Sequence, residues 1–196
     1  TSEKGLETLI VDDMTKAGWI IGKPDDYDRE YAVDLMQLRA FLEATQRKQA
    51  GSFDLGSDGP TRRKFLARLQ GEITKRGVID VLRHGLKYGQ HNLDLFYGTP
   101  TPGNKKAEDR FAANRFSVTR QLRYILDETQ RALDLCLFIN GLPIITFELK
   151  NSLTKQTVAD AIEQYRRDRD PREKLFEFGR CVAHFAVDDA EVRFCT

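Results

Sequence analysis

The chain has 196 residues, of which 40% are hydrophobic and 31% charged, and its 31 basic and 30 acidic residues leave a formal net charge of +1. This composition excludes a disordered or membrane-embedded chain, and the length suits one substantial core better than two ordinary domains. Near-balanced charge supplies no global field to attract nucleic acid, so any such contact must rest on local basic patches or on partner subunits.

No run approaches the roughly 18 apolar residues of a membrane span. No basic-then-apolar leader opens the chain, so a cytoplasmic protein with no membrane partner is expected. The cysteines (Cys136, Cys181, Cys195) and histidines (His84, His91, His184) are scattered without zinc-ligand spacing, and the odd cysteine count argues against a disulfide framework.

In chain order, residues 3–18 read as a helix: Ser2 can cap it, Leu6, Leu9, Ile10 and Met14 recur at helical spacing, and Gly18 can end it. Glu7 follows on this helix, where a solvated carboxylate suits the positive end of the dipole. Gly22 to Asp28 is a polar turn whose aspartates, Asp25, Asp26 and Asp28, lack the glycine and distal glutamate of a calcium loop. From Asp34 to Gln46, Leu35, Leu38, Phe41 and Leu42 describe a second helix face, and a Gly-, Ser- and Asp-rich loop follows from Gly51 to Gly59. Thr61 to Arg76 is helical again. Its Arg62-Arg63-Lys64 cluster is the densest basic run, either a phosphate contact or a solvated face. Val78 to Arg83 continues as a short helix to Gly85.

Leu86–Tyr88 and Leu93–Tyr97 read as short strands, Gly98 to Asn104 as a rigid loop, and Lys105 to Ala113 as a short helix. Phe116 to Leu126 reads as a strand ending in a turn at Asp127-Glu128-Thr129. Leu133–Ile139 and Leu142–Lys150 are then two apolar strands around Asn140-Gly141, the strongest short-range hairpin signal. Their charges are unusual, because burying Asp134, Glu148 or Lys150 unpaired is expensive. Side chains alternate along a strand, so Thr146, Glu148 and Lys150 share one face while Ile145, Phe147 and Leu149 share the other. Two converging carboxylates hold a divalent cation through hard oxygens, and a neighbouring ammonium positions or activates a water. A strict two-residue turn would face Asp134 toward Phe147. Asp134 joins Glu148 only if the pairing gains one residue, through a three-residue loop or a bulge near Pro143, which cannot donate to the ladder.

Thr154 to Arg167 is expected to be a crossover helix with Val158, Ala161, Ile162 and Tyr165 on its apolar face. Arg166, Arg167 and Arg169 continue it, either as phosphate contacts or in salt bridges with Asp168 and Asp170. Cys181–Val187 reads as a buried strand pairing with Val192–Cys195. The order gives an α/β fold with a mixed sheet flanked by helices, in one domain over 1–196: a helical part to about residue 85, then the sheet core.

The order Asp134, Glu148, Lys150 resembles the core of the PD-(D/E)xK nucleases, with Leu133 standing where that name has proline. The phrases Arg120-Gln121-Leu122-Arg123-Tyr124, Phe138-Ile139-Asn140-Gly141-Leu142-Pro143 and Phe147-Glu148-Leu149-Lys150-Asn151 resemble the N-terminal endonuclease domain of the R (restriction) subunit of type I restriction enzymes. Phe41-Leu42-Glu43-Ala44-Thr45-Gln46 looks like the same subunit. The resemblance implies a restriction-endonuclease-like core and hydrolysis of DNA phosphodiesters. It implies Mg2+, with Mn2+ as substitute, held by Asp134, Glu148, the Leu149 carbonyl and Glu7, and a Lys150 that orients or deprotonates water. Tyr165 matches a Gln and Tyr motif of the family's following helix. The family's glutamine would fall at Ala161, and Gln164 stands beside Tyr165 instead.

The resemblance also implies double-stranded DNA, methylation and specificity subunits as partners, and an ATP-driven translocase elsewhere in the full-length subunit. This chain has no G-x-x-x-x-G-K-[ST] phosphate loop, so ATP is not expected here and the chain reads as an N-terminal fragment. Two other readings stand beside the nuclease. One is a non-catalytic DNA-binding or subunit-docking module in which the same charges form a structural cluster. The other is a repair or recombination nuclease with the same core.

Overall fold

The computed structural model describes residues 2–125, 131–151 and 155–196. Helix α1 (Glu3–Lys16) leads to strands β1 (Ile20–Ile21), β2 (Tyr27–Asp28) and β3 (Val33–Asp34), then to α2 (Leu35–Thr45), α3 (Arg47–Ala50), α4 (Pro60–Arg76) and α5 (Val78–His84). A small hairpin of β4 (Leu86–Tyr88) and β5 (His91–Leu93) and helix α6 (Lys105–Ala112) precede the main strands, β6 (Phe116–Arg123), β7 (Ala132–Ile139) and β8 (Leu142–Leu149). Helix α7 (Val158–Asp168) crosses to β9 (Ala183–Val187) and β10 (Val192–Cys195). Six strands form one mixed sheet in the order β1-β6-β7-β8-β9-β10, with β1–β6 and β8–β9 parallel and the other pairs antiparallel.

Local chemistry sets the helix ends. The Ser2 hydroxyl accepts the Gly5 N–H at 3.1 Å, and Gly18 leaves α1 at φ +92°. Asp34 caps α2 by accepting the Gln37 N–H at 3.0 Å, and burial pushes its carboxyl up to about 6. Thr157 and Asp160 form a reciprocal capping box at the start of α7. The expected start of that helix at Thr154 lies outside the described residues, as does the turn expected at Asp127-Glu128-Thr129. Three strands differ from the residue pattern. β5 covers His91–Leu93, where the pattern gives a strand over Leu93–Tyr97, β6 ends at Arg123, beyond which Tyr124 and Ile125 leave the ladder, and β9 begins at Ala183 rather than Cys181. No helix among the described residues is long and apolar enough to cross a membrane.

The central hairpin turns at Asn140 (φ +50°) and Gly141 (φ +83°), the two positive dihedrals of a tight hairpin turn. Unlike most turns, this one is buried. The Asn140 side chain accepts the Arg115 N–H at 2.6 Å and donates to the Leu95 carbonyl at 2.8 Å. The Gly141 carbonyl accepts the Asp34 N–H at 2.8 Å, and a Cβ at Gly141 would stand 2.4 Å from the Asp34 oxygen. The helical N-terminal part and the sheet therefore share one core, which runs from Val11 through Phe41, Leu66 and Leu142 to Val187.

Candidate active site

The hairpin register creates the site. Ile139 pairs with Leu142 and Phe138 with Pro143, but Leu137 then pairs with Ile145, so Ile144 is extra and the ladder bulges. Pro143 has no N–H to give, and the bulge falls beside it. The pairing continues to Leu135–Phe147, and one step further Asp134 lies level with Glu148. The ladder stops there because the Asp134 carboxylate takes the next amide itself: its Oδ2 accepts the Leu149 N–H at 2.7 Å. Its Oδ1 accepts the Gln121 amide at 3.2 Å. Burial raises the Asp134 pKa, and these two donors and Lys150 oppose the rise without cancelling it.

Glu148 is 1% exposed and pairs through Oε1 with the guanidinium of Arg169. Arg169 also donates to the Tyr124 hydroxyl at 2.8 Å and to the Ala132 carbonyl at 3.0 Å. Burial, aided by the nearby Asp134 charge, pushes the Glu148 carboxyl up to about 7 against the opposing pull of Arg169 and Lys150. Burial alone would lower the Arg169 pKa, but Glu148 and Tyr124 outweigh it and the net shift is upward.

The sequence grouped Arg169 with phosphate-facing arginines or with salt bridges to Asp168 and Asp170, and neither holds. α7 ends at Asp168, and Arg169 leaves it in an extended conformation that turns the side chain inward to Glu148. Arg166 and Arg167 do stay exposed, each paired with Glu163. On α4, Arg62 and Arg63 are engaged by Asp58.

Helix α1 adds two more acids. Glu7 is buried rather than solvated: Arg120 Nε donates to its Oε1, and Gln121 Nε2 donates to its Oε2 at 2.8 Å. Arg120 also reaches the Thr8 hydroxyl at 2.8 Å. Lys150, itself buried, has its ammonium 3.8 Å from Glu3 Oε1. Burial raises the Glu3 pKa, with Lys150 acting against it. The far side of the site is a chain of hydrogen bonds. Thr146 Oγ1 meets the Tyr165 hydroxyl at 2.8 Å and His184 Nδ1 at 2.7 Å. Burial and the nearby Glu148 push the Tyr165 phenol well up, and burial lowers the His184 pKa.

Asp134, Glu148, Lys150, Tyr165 and Glu7 are thus gathered in one place. Gln164 is half-buried on α7 and, among the described residues, makes no hydrogen bond to this cluster. Sequence reasoning missed Gln121, Arg120, Tyr124 and His184 as members, and placed Thr146 on the shared face without giving it a role. The first three lay in view, in the phrase Arg120–Tyr124, but nothing local shows which way they point.

Among the described residues no three His, Cys, Asp or Glu side chains form a ready-made metal cage. Two carboxylates on one face of neighbouring strands nevertheless fit a hard divalent cation whose remaining positions are filled by water and main-chain oxygen. The Leu149 carbonyl leaves β8 on the same edge as the amide that meets Asp134. Burial leaves both acids reluctant to ionise, a cost that a cation between them would offset.

A mixed sheet with a crossover helix between its parallel strands, and an Asp, Glu-x-Lys set on its central hairpin, is a restriction-endonuclease-like core. The chain belongs to the family of the type I restriction enzyme R protein N terminus, whose model matches residues 1–196, and so to the N-terminal region of such a subunit. No curated protein sequence matches it.

Proposed function

We propose that this domain is the metal-dependent endonuclease of a type I restriction enzyme, hydrolysing phosphodiester bonds in double-stranded DNA. The observation that carries the reading is the bulge at Ile144, which brings Asp134 level with Glu148 at the point where the strands part. Asp134, Glu148 and the Leu149 carbonyl would hold Mg2+, or Mn2+ in its place, with Glu7 as an outer acid reaching Asp134 through Gln121. When bound, the cation would supply Lewis-acid polarisation of the phosphoryl group and a more acidic water.

The chain's own residues do the rest. The Lys150 ammonium, beside both carboxylates, orients the attacking water and offsets charge developing on the phosphate. Tyr165 anchors Thr146, which shares a strand face with Glu148 and Lys150, and so fixes the floor of the site. Exposed Arg166 and Arg167 exchange weak pairs with Glu163 for phosphate oxygens. DNA would be delivered by the methylation and specificity subunits and by an ATP-driven translocase region of the full-length subunit. The isolated domain is then expected to cut poorly and without sequence preference.

The Glu148–Arg169 and Glu7–Arg120 pairs favour one rival, a docking module held by a structural ion cluster. Titration with Mn2+ separates the two. The nuclease binds the ion saturably and loses it in Glu148→Ala, while Asp134→Ala, Glu148→Ala and Lys150→Ala each abolish cleavage by the assembled enzyme without unfolding the domain. Wild-type protein that binds no ion, or folded variants that still cut, would leave the docking module as the better account.

A further inference from the structure

From the geometry of β6 we infer that Gln121 is a positioning residue for the site, a neutral bridge that holds Asp134 in register with Glu148 and keeps it apart from Glu7. The inference rests on the nuclease reading for its purpose but not for its geometry. Gln121 stands in mid-strand, between the pairs Arg120–Leu135 and Leu122–Leu133, yet its φ is +49°, a left-handed conformation that non-glycine residues rarely adopt. The pairing on either side keeps one constant offset, so no residue has been inserted and the distortion serves something other than a bulge.

Its effect is on direction. Successive side chains of a strand point to opposite faces, so Arg120 and Gln121 cannot both reach one acceptor from regular backbone. Here both reach Glu7, Arg120 at Oε1 and Gln121 at Oε2. The same amide nitrogen also reaches Asp134 Oδ1 at 3.2 Å. An amide NH2 has two hydrogens, and each goes to one acid. The Glu7 charge, which adds to the rise of the Asp134 pKa, is thereby spaced from it by a group that adds no charge and donates to both acids. With Oδ1 engaged by Gln121, the other Asp134 oxygen is set on the Leu149 amide, and the carboxylate cannot rotate without losing both bonds. Local backbone strain at a residue bonded to two site acids is the pattern of a functional constraint.

The test separates side chain from backbone. Gln121→Gly accepts φ +49° without strain, so relief of that strain offsets part of the cost of the two lost hydrogen bonds and the variant should remain folded. Gln121→Asn also tolerates that backbone but is one carbon short of spanning both acids. Two readouts are taken on the whole chain. The first is hydrogen exchange of the Leu149 amide without metal, expected to quicken about tenfold or more in Gln121→Gly as Asp134 swings free, with Gln121→Asn between. The second is Mn2+ titration, expected to show affinity about 10- to 100-fold weaker. An unchanged Leu149 exchange rate in folded Gln121→Gly overturns the inference whatever the metal does. If wild type binds no Mn2+ but Leu149 exchange does quicken, the nuclease reading fails and the positioning role stands. If wild type binds Mn2+ and Gln121→Gly binds it equally well, the role in holding the site for an ion is overturned while the nuclease reading survives.

Discussion

Asp134 and Glu148 meet across adjacent strands because Ile144 is one residue more than the hairpin ladder can pair. With a turn as tight as Asn140-Gly141, regular pairing would have set Asp134 against Phe147 and on the opposite face from Glu148. A single unpaired residue beside Pro143 turns two isolated charges into one acidic site, with Glu148 buried and Asp134 half-buried. The energetics of that site follow from its burial.

Glu148 and Arg169 are both almost wholly buried, with side chains 1% and 3% exposed. Removing one partner of such a pair leaves an uncompensated charge, so Arg169→Ala should destabilise the domain by about 3–5 kcal/mol. The measurement is urea unfolding at pH 8, where the wild-type Glu148 is ionised. Because the loss belongs to the orphaned carboxylate, Arg169→Ala combined with Glu148→Ala should recover part of it. A double variant no more stable than Arg169→Ala alone would assign the loss to the contacts with Tyr124 and Ala132 instead.

The Glu148 carboxyl holds its proton up to about pH 7 when folded but only to about 4.5 in its ordinary environment. Between those values the folded state carries the extra proton, so this group's contribution to stability is fully present below about pH 4.5 and is lost as pH rises to about 7. Asp134, also raised by burial, acts in the same direction. The stability of wild type relative to Glu148→Gln should therefore fall from pH 5 to pH 8, and saturating Mg2+ should lessen the fall by favouring the ionised form. Denaturant midpoints of the two proteins across that range check it, and a difference that stays constant or grows with pH contradicts it.

Tyr165 and Gln164 are neighbours on α7 with different consequences. Tyr165→Phe removes the hydroxyl that meets Thr146 at 2.8 Å, and should cost about 1 kcal/mol of stability. Cleavage should slow as well, because Thr146 is no longer held between two partners. Gln164→Ala should leave stability within about 0.5 kcal/mol of wild type. Thermal melts and cleavage rates of the two variants, measured together, rank them. Equal effects would put Gln164 back in the site beside Tyr165.

The amino-acid sequence determined a good deal without help. Apolar spacing and caps located α1, α2, α4 and α7 to within a few residues, because a helix is a local structure whose hydrogen bonds and face are set within one or two turns. Asn140-Gly141 located the hairpin for the same reason, and strand alternation put Glu148 and Lys150 on one face. The need for an extra residue near Pro143 was legible too, as a condition on the site. What the chain's order alone left open was every interaction between distant segments. Arg169 belonged by sequence to a solvent-facing arginine run, but the end of α7 at Asp168 turns it inward to Glu148. Glu7 read equally well as a solvated carboxylate until Arg120 and Gln121, more than a hundred residues later, closed over it. Gln121 gave no sign of its left-handed backbone or of its bonds to acids from α1 and β7, which lie far from it in the sequence. Local periodicity fixes elements and faces; which buried charges find each other is decided only when the sheet closes on the helices, since the cost of leaving one unpaired is paid in the folded core alone.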